Sequence, residues 1–208
     1  MTAEPETRTH TIILASRSSG RMALMETAGL PFDAVAADID EQGLQARMSA
    51  KAGGHDAVAV MLAEAKAAKI SSLYPGALVV GSDQLLITPD GTILHKPDTP
   101  ADAEAQLEQL AGREHRLISA IVVYQNTEKL WQTSDMAELT MHGLTADYIS
   151  NYVATHWEDI RHCVGCYRIE AEGRSLFERI EGDESTIMGM PMPPLLDYLR
   201  SRGYQPAS

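Results

Sequence analysis

Apolar positions recur along the chain in two rhythms, short β-branched runs and longer stretches with helical spacing. "TIILAS" (Thr11 to Ser16) is a short apolar run of the kind buried in a sheet, and it leads directly into "RSSGRMALMETAGL". There Met22, Leu24, Met25 and Ala28 share one helical side, and Gly29 is placed to stop the helix. A strand feeding a helix is the expected opening unit. "FDAVAA" alternates as a strand, and "DIDEQG" reads as an acidic loop after it. From Asp56 to Ile70 the chain is Ala-rich with apolar residues at helical spacing, which predicts a packed helix. "ALVVGSDQLLI" carries a buried-strand pattern interrupted by Gly81, Ser82 and Asp83.

The second half mixes hairpins with helices. Asp90-Gly91 in "TPDGTIL" is a tight-turn pair between apolar runs and predicts a β-hairpin. "TPADAEAQLEQLAG" has Thr99 as N-cap, Pro100 at the first helical position, Asp102 in capping-box register and Gly112 at the end. "HRLISAIVVYQ", a turn at "NTEK" and "LWQTSDMAELTMH" predict two long antiparallel strands. "TADYISNYVATH" is a further helix and "SLFERIEG" a short strand and turn. "PPLLDYLRSRG" is a final helix begun by proline and stopped by glycine. Helices alternate with strands while hairpins are present, so the fold class is α/β with a mixed sheet flanked by helices. No repeat or linker divides the chain, and a single domain over residues 1–208 is expected, with residues 1–9 and 204–208 as flexible tails.

Composition narrows the functions. A chain of 208 residues, 44% hydrophobic, can bury a sizeable core. Its net charge of −12 argues against binding a nucleic-acid duplex, which calls for a basic face. Any anionic ligand must then be held by local cations or by metal. No apolar run reaches about 18 residues, and "MTAEPETRTH" lacks the basic and apolar regions of a secretory signal, so a cytoplasmic protein without membrane contact is expected. The two cysteines, Cys163 and Cys166, stand in C-x-x-C spacing beside His162. Two cysteines make no disulfide framework, and a structural zinc site would want a second pair. A low-pKa redox pair would sit at a helix N-terminus, whereas "CYRIE" alternates like a strand.

Three constellations could carry chemistry. In "LASRSSGR" a strand end, a Ser-rich turn and Arg21 meet a helix start, where N–H groups, the hydroxyls of Ser16, Ser18 and Ser19 and a guanidinium suit an anion. A capped helix with a surface arginine is the plainer alternative. In "VVGSDQ" the apolar run delivers Asp83 to a strand's end, where a carboxylate can hold metal or take a proton from water, or simply close a turn. The third set is distributed: Glu41 in the acidic loop, Lys66 on the Ala-rich helix and Lys96 in "HKP". Lysines so placed are usually solvated, and only their convergence would make them functional.

"ILASRSSGR", "DIDE", "LAEAKA", "VVGSDQ", "HKP", the aromatic-glycine segment near 165 and "IMGMP", in this order, resemble the Maf family of nucleotide pyrophosphatases from Ile12 to about Gly203. The resemblance implies a twisted mixed sheet with flanking helices, two lobes around a substrate cleft, and a homodimer. It also implies hydrolysis of a nucleoside triphosphate to the monophosphate and pyrophosphate with a divalent cation, Mg or Mn. By motif, Asp83 takes the place of the catalytic proton acceptor. Ser16, Arg21, Lys66 and Lys96 take the phosphate-binding positions, and Glu41 joins Asp83 as the acidic position near the metal. A link between the family and inhibition of septum formation supplies a reading of another class, regulation by partner binding.

Substrate choice turns on Gly20, Gln84 and Glu170. Family members acting on dTTP and UTP carry Thr after the catalytic Asp and a later Gln, whereas Gln84 and Glu170 resemble the branch that hydrolyses 7-methyl-GTP. A carboxylate suits that base, because guanine's N1–H and N2 amino group are adjacent donors and methylation at N7 leaves the ring positive. The chain departs from the branch at Gly20, where tryptophan is usual, and at Ser19, where proline is usual. Tyr167 is an aromatic that could substitute for the missing stacking partner.

Overall fold

The computed structural model describes residues 11–49 and 54–204. One seven-stranded sheet runs through them in the order β2-β1-β3-β5-β6-β7, with β4 paired to β3. Strands β1 (Ile12–Leu14), β2 (Phe32–Ala34) and the start of β3 (Leu78–Ile87) are parallel. Strands β4 (Ile93–Leu94), β5 (Glu114–Gln125), β6 (Glu128–Met141) and β7 (Phe177–Glu181) continue it antiparallel. The mixed sheet expected from alternating elements and hairpins is therefore present, with helices on both faces. No helix among the described residues is long and apolar enough to cross a membrane.

Helix α1 (Ser19–Thr27) follows β1 as its apolar pattern requires, with Met25 fully buried. A second helix, α2 (Glu41–Ser49), begins inside the stretch expected to be an acidic loop. Its apolar content is too low to announce it, but Asp40 Oδ1 accepts from Gly43 N–H at 2.9 Å in the manner of an N-cap. Helix α3 (Gly54–Leu73) is longer than its sequence pattern predicted. The capping box opens α4 (Pro100–Leu110) as read: Thr99 accepts from Asp102 N–H, and the Asp102 carboxylate accepts from Thr99 N–H. Helices α5 (Ala146–Ile160), α6 (Glu184–Ile187) and α7 (Met192–Ser201) complete the fold. "CYRIE" is not a strand but a loop between two 3-10 turns, Val164–Cys166 and Glu172–Leu176. Its alternation is real, since Tyr167 and Ile169 are buried while Glu170 is exposed, yet no strand pairs with it.

Residues 1–9 and 205–208, expected to be tails, lie outside the described residues. Tyr204, counted with the C-terminal tail, is instead packed: its N–H donates to Leu199 O at 3.0 Å and its ring lies against the core between α1, α7 and the sheet.

Strand β3 is continuous, which corrects the interruption read at Gly81 to Asp83. Asp83 therefore sits in mid-strand rather than at a strand's end. It still faces a cleft, because β1 pairs with β3 only as far as Leu14↔Val80 and β4 joins the same edge only at Leu86↔Leu94. Between those points β3 has a strand neighbour on one side alone, β5. The sheet thus contains a slot, and Asp83 lies beside it.

Residues 79, 81, 83, 85 and 87 of β3 face α3, by the period-two alternation of a strand. Helix α3 presents Ala59, Ala63 and Ala67 to them, all fully buried, so it lies close on the strand. Gly81 completes the approach: a Cβ there would stand 2.3 Å from Ala63 O and 2.8 Å from the Ala67 Cβ and N. These neighbours are mostly helix backbone and cannot swing aside. Gly81→Ala should therefore push α3 off the strand and cost about 1–3 kcal/mol or more in urea unfolding. An unchanged midpoint would show that the helix has room to spare.

Candidate active site

A cleft of about 790 Å³ opens over the slot in the sheet. Ser16, Gly20, Arg21, Glu41, Lys66, Asp83, Gln84, Lys96 and Glu170 all line it, so every site residue expected from sequence reaches one cavity. They come from the β1–α1 turn, the start of α1, α2, α3, β3, the segment after β4 and the loop after α5.

At its floor, Lys66 Nζ donates to Asp83 Oδ1 at 2.5 Å and contacts Glu41 Oε1 at 2.8 Å. Lys66 and Asp83 are buried, whereas half of the Glu41 side chain is exposed. The two carboxylates shift in opposite directions. Burial pushes the Asp83 pKa up and outweighs the attraction of Lys66 and Arg21. Burial would raise Glu41 too, but the charge and hydrogen bond of Lys66, with Lys96 and Arg21, hold it below the usual range. Asp83 thus takes up a proton more readily than an ordinary carboxylate, and Glu41 less readily.

Arg21 is more deeply engaged than a surface phosphate binder. Its Nε donates to Gly189 O at 3.0 Å, and Nη1 donates to Ser82 O at 2.9 Å and to Ser16 Oγ at 3.4 Å. Ser82 Oγ also donates to Gly189 O, at 2.8 Å. Burial lowers the Arg21 pKa from its ordinary value, which still leaves a cation at neutral pH. The guanidinium thus caps a strand carbonyl in the slot and ties the "IMGMP" loop to it. Ser16 Oγ accepts from Ser18 N–H at 3.2 Å, and Ser18 occupies the α1 N-cap without a side-chain cap bond. Lys96 is exposed at the cleft. Burial of its stem lowers its pKa first, and repulsion from Arg21 and Lys66 adds to that, against the pull of Glu41 and Asp83.

The other wall is formed by the loop after α5. Glu170 Oε1 accepts from Arg168 Nε at 3.1 Å. Gln84 lines the cleft, but its Nε2 is directed to Ser119 Oγ, Thr186 O and Ile187 O at 2.9–3.1 Å, so it anchors α6 to the sheet. At Gly20 a Cβ would approach Met188 O to 3.3 Å, a tight fit for any larger residue. Tyr167 is not an open stacking platform: it is 5% exposed, its hydroxyl meets His115 Nε2 at 2.8 Å, and its ring packs edge-on against Phe177.

The cysteines belong to this loop without carrying its chemistry. Cys166 is fully buried, and burial pushes its thiol up to about 12. Cys163 is raised as well, by burial first and then by Glu170. Both shifts oppose the thiolate that a redox pair or zinc ligand requires. Ser82, Gly189 and Arg168 are site residues that sequence reasoning missed. Ser82 and Gly189 stood inside "VVGSDQ" and "IMGMP", but a role played by a backbone carbonyl leaves no signature in residue type.

The sequence profile of a family described as Maf-like protein matches residues 11–202. A nucleoside triphosphate pyrophosphatase of Sphingopyxis alaskensis is 47% identical over 196 residues, covering 94% of this chain and 99% of its own. One of Ruegeria pomeroyi is 43% identical over 192 residues, covering 92% of this chain and 96% of its own. A 7-methyl-GTP pyrophosphatase of Rhizobium johnstonii is 46% identical over 192 residues, with the same coverages.

The charged floor yields a stability test. Lys66→Met would leave Asp83 buried without its ammonium, an expected loss of about 3–5 kcal/mol at neutral pH. Because the folded-state pKa of Asp83 is raised, its stabilising form is the protonated one, present below the ordinary carboxylate value and lost as pH rises through the folded value. Glu41 runs the other way: its contribution is present above its ordinary value and lost as pH falls through its lowered one. Lys66 lowers the pKa of both carboxylates, so in Lys66→Met both protonate at higher pH. The variant then gains more than the parent as pH falls, which shrinks the gap on acidification. Urea titrations across that range should show the gap closing, and a gap that widens at low pH would contradict the assignment of charges.

Proposed function

This chain belongs to the Maf-like protein family, and from that footing we propose that it hydrolyses the α–β phosphoanhydride of a nucleoside triphosphate, releasing pyrophosphate. The observation that carries the reading is the meeting of Asp83, Lys66 and Glu41 at the floor of a cleft whose walls hold Ser16, Arg21 and Lys96. A protein of net charge −12 can hold a polyanion only through such local cations.

We propose that Glu41 and Asp83 would hold the divalent cation implied by the family. Among the described residues no group of three or more His, Cys, Asp or Glu side chains converges. Each of these two carboxylates contacts Lys66 Nζ through one oxygen and keeps a second, and Mg is commonly held by one or two carboxylates together with substrate phosphate oxygens. When bound, the ion would supply Lewis-acid polarisation of the phosphate oxygens.

In this mechanism Asp83 accepts a proton from the attacking water. The water oxygen bonds to the α-phosphorus as the bond from that phosphorus to the bridging oxygen breaks, and pyrophosphate departs. Lys66 holds Asp83 through Oδ1, which leaves Oδ2 for the water. The raised pKa of Asp83 makes it a better acceptor near neutral pH than an ordinary aspartate. Arg21, Lys66 and Lys96 offset charge developing on the leaving group.

For the base, we propose 7-methyl-GTP, with Glu170 accepting from N1–H and the N2 amino group. Relatives described as 7-methyl-GTP pyrophosphatases support this reading, as does the presence of Glu170 on the cleft wall. Carbonyl oxygens on a uracil or thymine edge would be repelled by the same carboxylate.

Asp83→Asn should lower pyrophosphate release by about 10²-fold or more while a cooperative unfolding transition persists. Near-normal release would refute the catalytic assignment. In a panel of canonical and 7-methylated triphosphates, kcat/KM should be highest for 7-methyl-GTP. A preference for dTTP or UTP would replace the base assignment and leave the reaction standing.

A further inference from the structure

Arg168 lines the cleft beside Glu170 and is assigned no role by the chemistry above. Its backbone and its guanidinium are both restrained. Tyr167 is extended (φ −147°, ψ 158°) and buried, so the next residue turns toward the cleft. Ala171 N–H donates to Arg168 O at 3.2 Å and closes a turn that brings Glu170 back beside Arg168. Gly173 presses on the same peptide from behind: a Cβ there would lie 2.5 Å from Arg168 O and 2.6 Å from Arg168 N. Only a glycine permits that contact.

The guanidinium bridges two carboxylates. Nε donates to Glu170 Oε1 at 3.1 Å, and Nη1 reaches Asp159 Oδ1 at 3.5 Å. Asp159 stands on α5, so the bridge runs from a packed helix to the loop. Arg168 is itself held above its ordinary pKa, by the hydrogen bond to Glu170 first. A carboxylate oxygen has two lone pairs, and one bond to Oε1 leaves each oxygen of Glu170 able to accept another. The contact therefore orients the carboxylate without consuming it.

We propose that Arg168 is a positioning residue for nucleobase selection, anchored by Asp159 and holding the Glu170 carboxylate toward the adjacent donors of a guanine-type base. The proposal rests on the reading of Glu170 given above. A glutamate on an exposed loop has three side-chain torsions to fix before it can accept two hydrogen bonds at once, and that entropy would be charged against binding. The Asp159–Arg168–Glu170 chain fixes them beforehand. Because Arg168 acts through Glu170 and not on phosphate, its loss affects discrimination between bases more than turnover.

The test uses 7-methyl-GTP and 7-methyl-ITP, which differ only in the N2 amino group, at mildly acidic pH where N1 of the base keeps its proton. Glu170→Ala should reduce the ratio of their kcat/KM values by about tenfold or more, as expected for losing hydrogen bonds to a charged group. Arg168→Ala should reduce it by about three- to tenfold, mostly through KM, and Arg168→Lys should recover part of the ratio. The double variant should discriminate no worse than Glu170→Ala alone. If Glu170→Ala leaves the ratio intact, the base reading of Glu170 fails and this proposal with it. If Glu170→Ala collapses the ratio while Arg168→Ala spares it, or weakens both nucleotides equally and additively with Glu170→Ala, the positioning role is overturned and the base reading stands.

Discussion

The site is organised around one ammonium group. Lys66 lies on the helix face that packs against the sheet, and its Nζ is shared between a buried aspartate and a half-exposed glutamate. Charges taken out of water are tolerated only when paired and hydrogen-bonded, so the geometry around Lys66 has little freedom. The alanines at 59, 63 and 67 and the glycine at 81 follow from this constraint: they bring α3 close enough for the lysine to reach the strand. The same ammonium lowers the pKa of both carboxylates, and depth separates them. Asp83, deeper, is governed by burial, and Glu41, nearer solvent, by attraction to the surrounding cations.

Much of the fold was legible because local signals agreed with one another. The capping box at Thr99, the Asp90-Gly91 turn and the two long antiparallel strands each gave a single reading, and each stands in the structure. Helix α2 was missed because it is short of apolar residues, so periodicity had little to register. The alternation around Tyr167 was sound, but it reports which side chains are buried and not whether a strand pairs beside them. Candidate site residues were found as types and motifs, and their meeting in one cleft could be known only from long-range contacts. Gln84 and Tyr167 show the limit of that approach, since both line the cleft while their polar groups point into the protein.

Arg21 joins fold and site in one side chain. Two backbone carbonyls from distant segments, Ser82 and Gly189, receive its hydrogen bonds, and Ser16 receives a third. The β1–α1 turn, the strand bearing Asp83 and the loop after α6 are thereby held in one register. A lysine in its place would offer a point charge and no planar fork to span these acceptors. The acidic character of the whole protein then matters less than it first suggests, because the positive field needed for a polyanion is assembled locally.

The slot in the sheet has a further consequence. An unpaired strand edge ordinarily lies at the border of a sheet, where it can recruit strands from other chains and seed aggregation. Here β3 carries its open stretch in the interior, bounded by the end of β1 on one side and the start of β4 on the other. The opening is closed off at both ends by β1 and β4, and the guanidinium already occupies the Ser82 carbonyl within it. The protein can thus keep bare backbone at the centre of its sheet without offering other molecules a template for assembly.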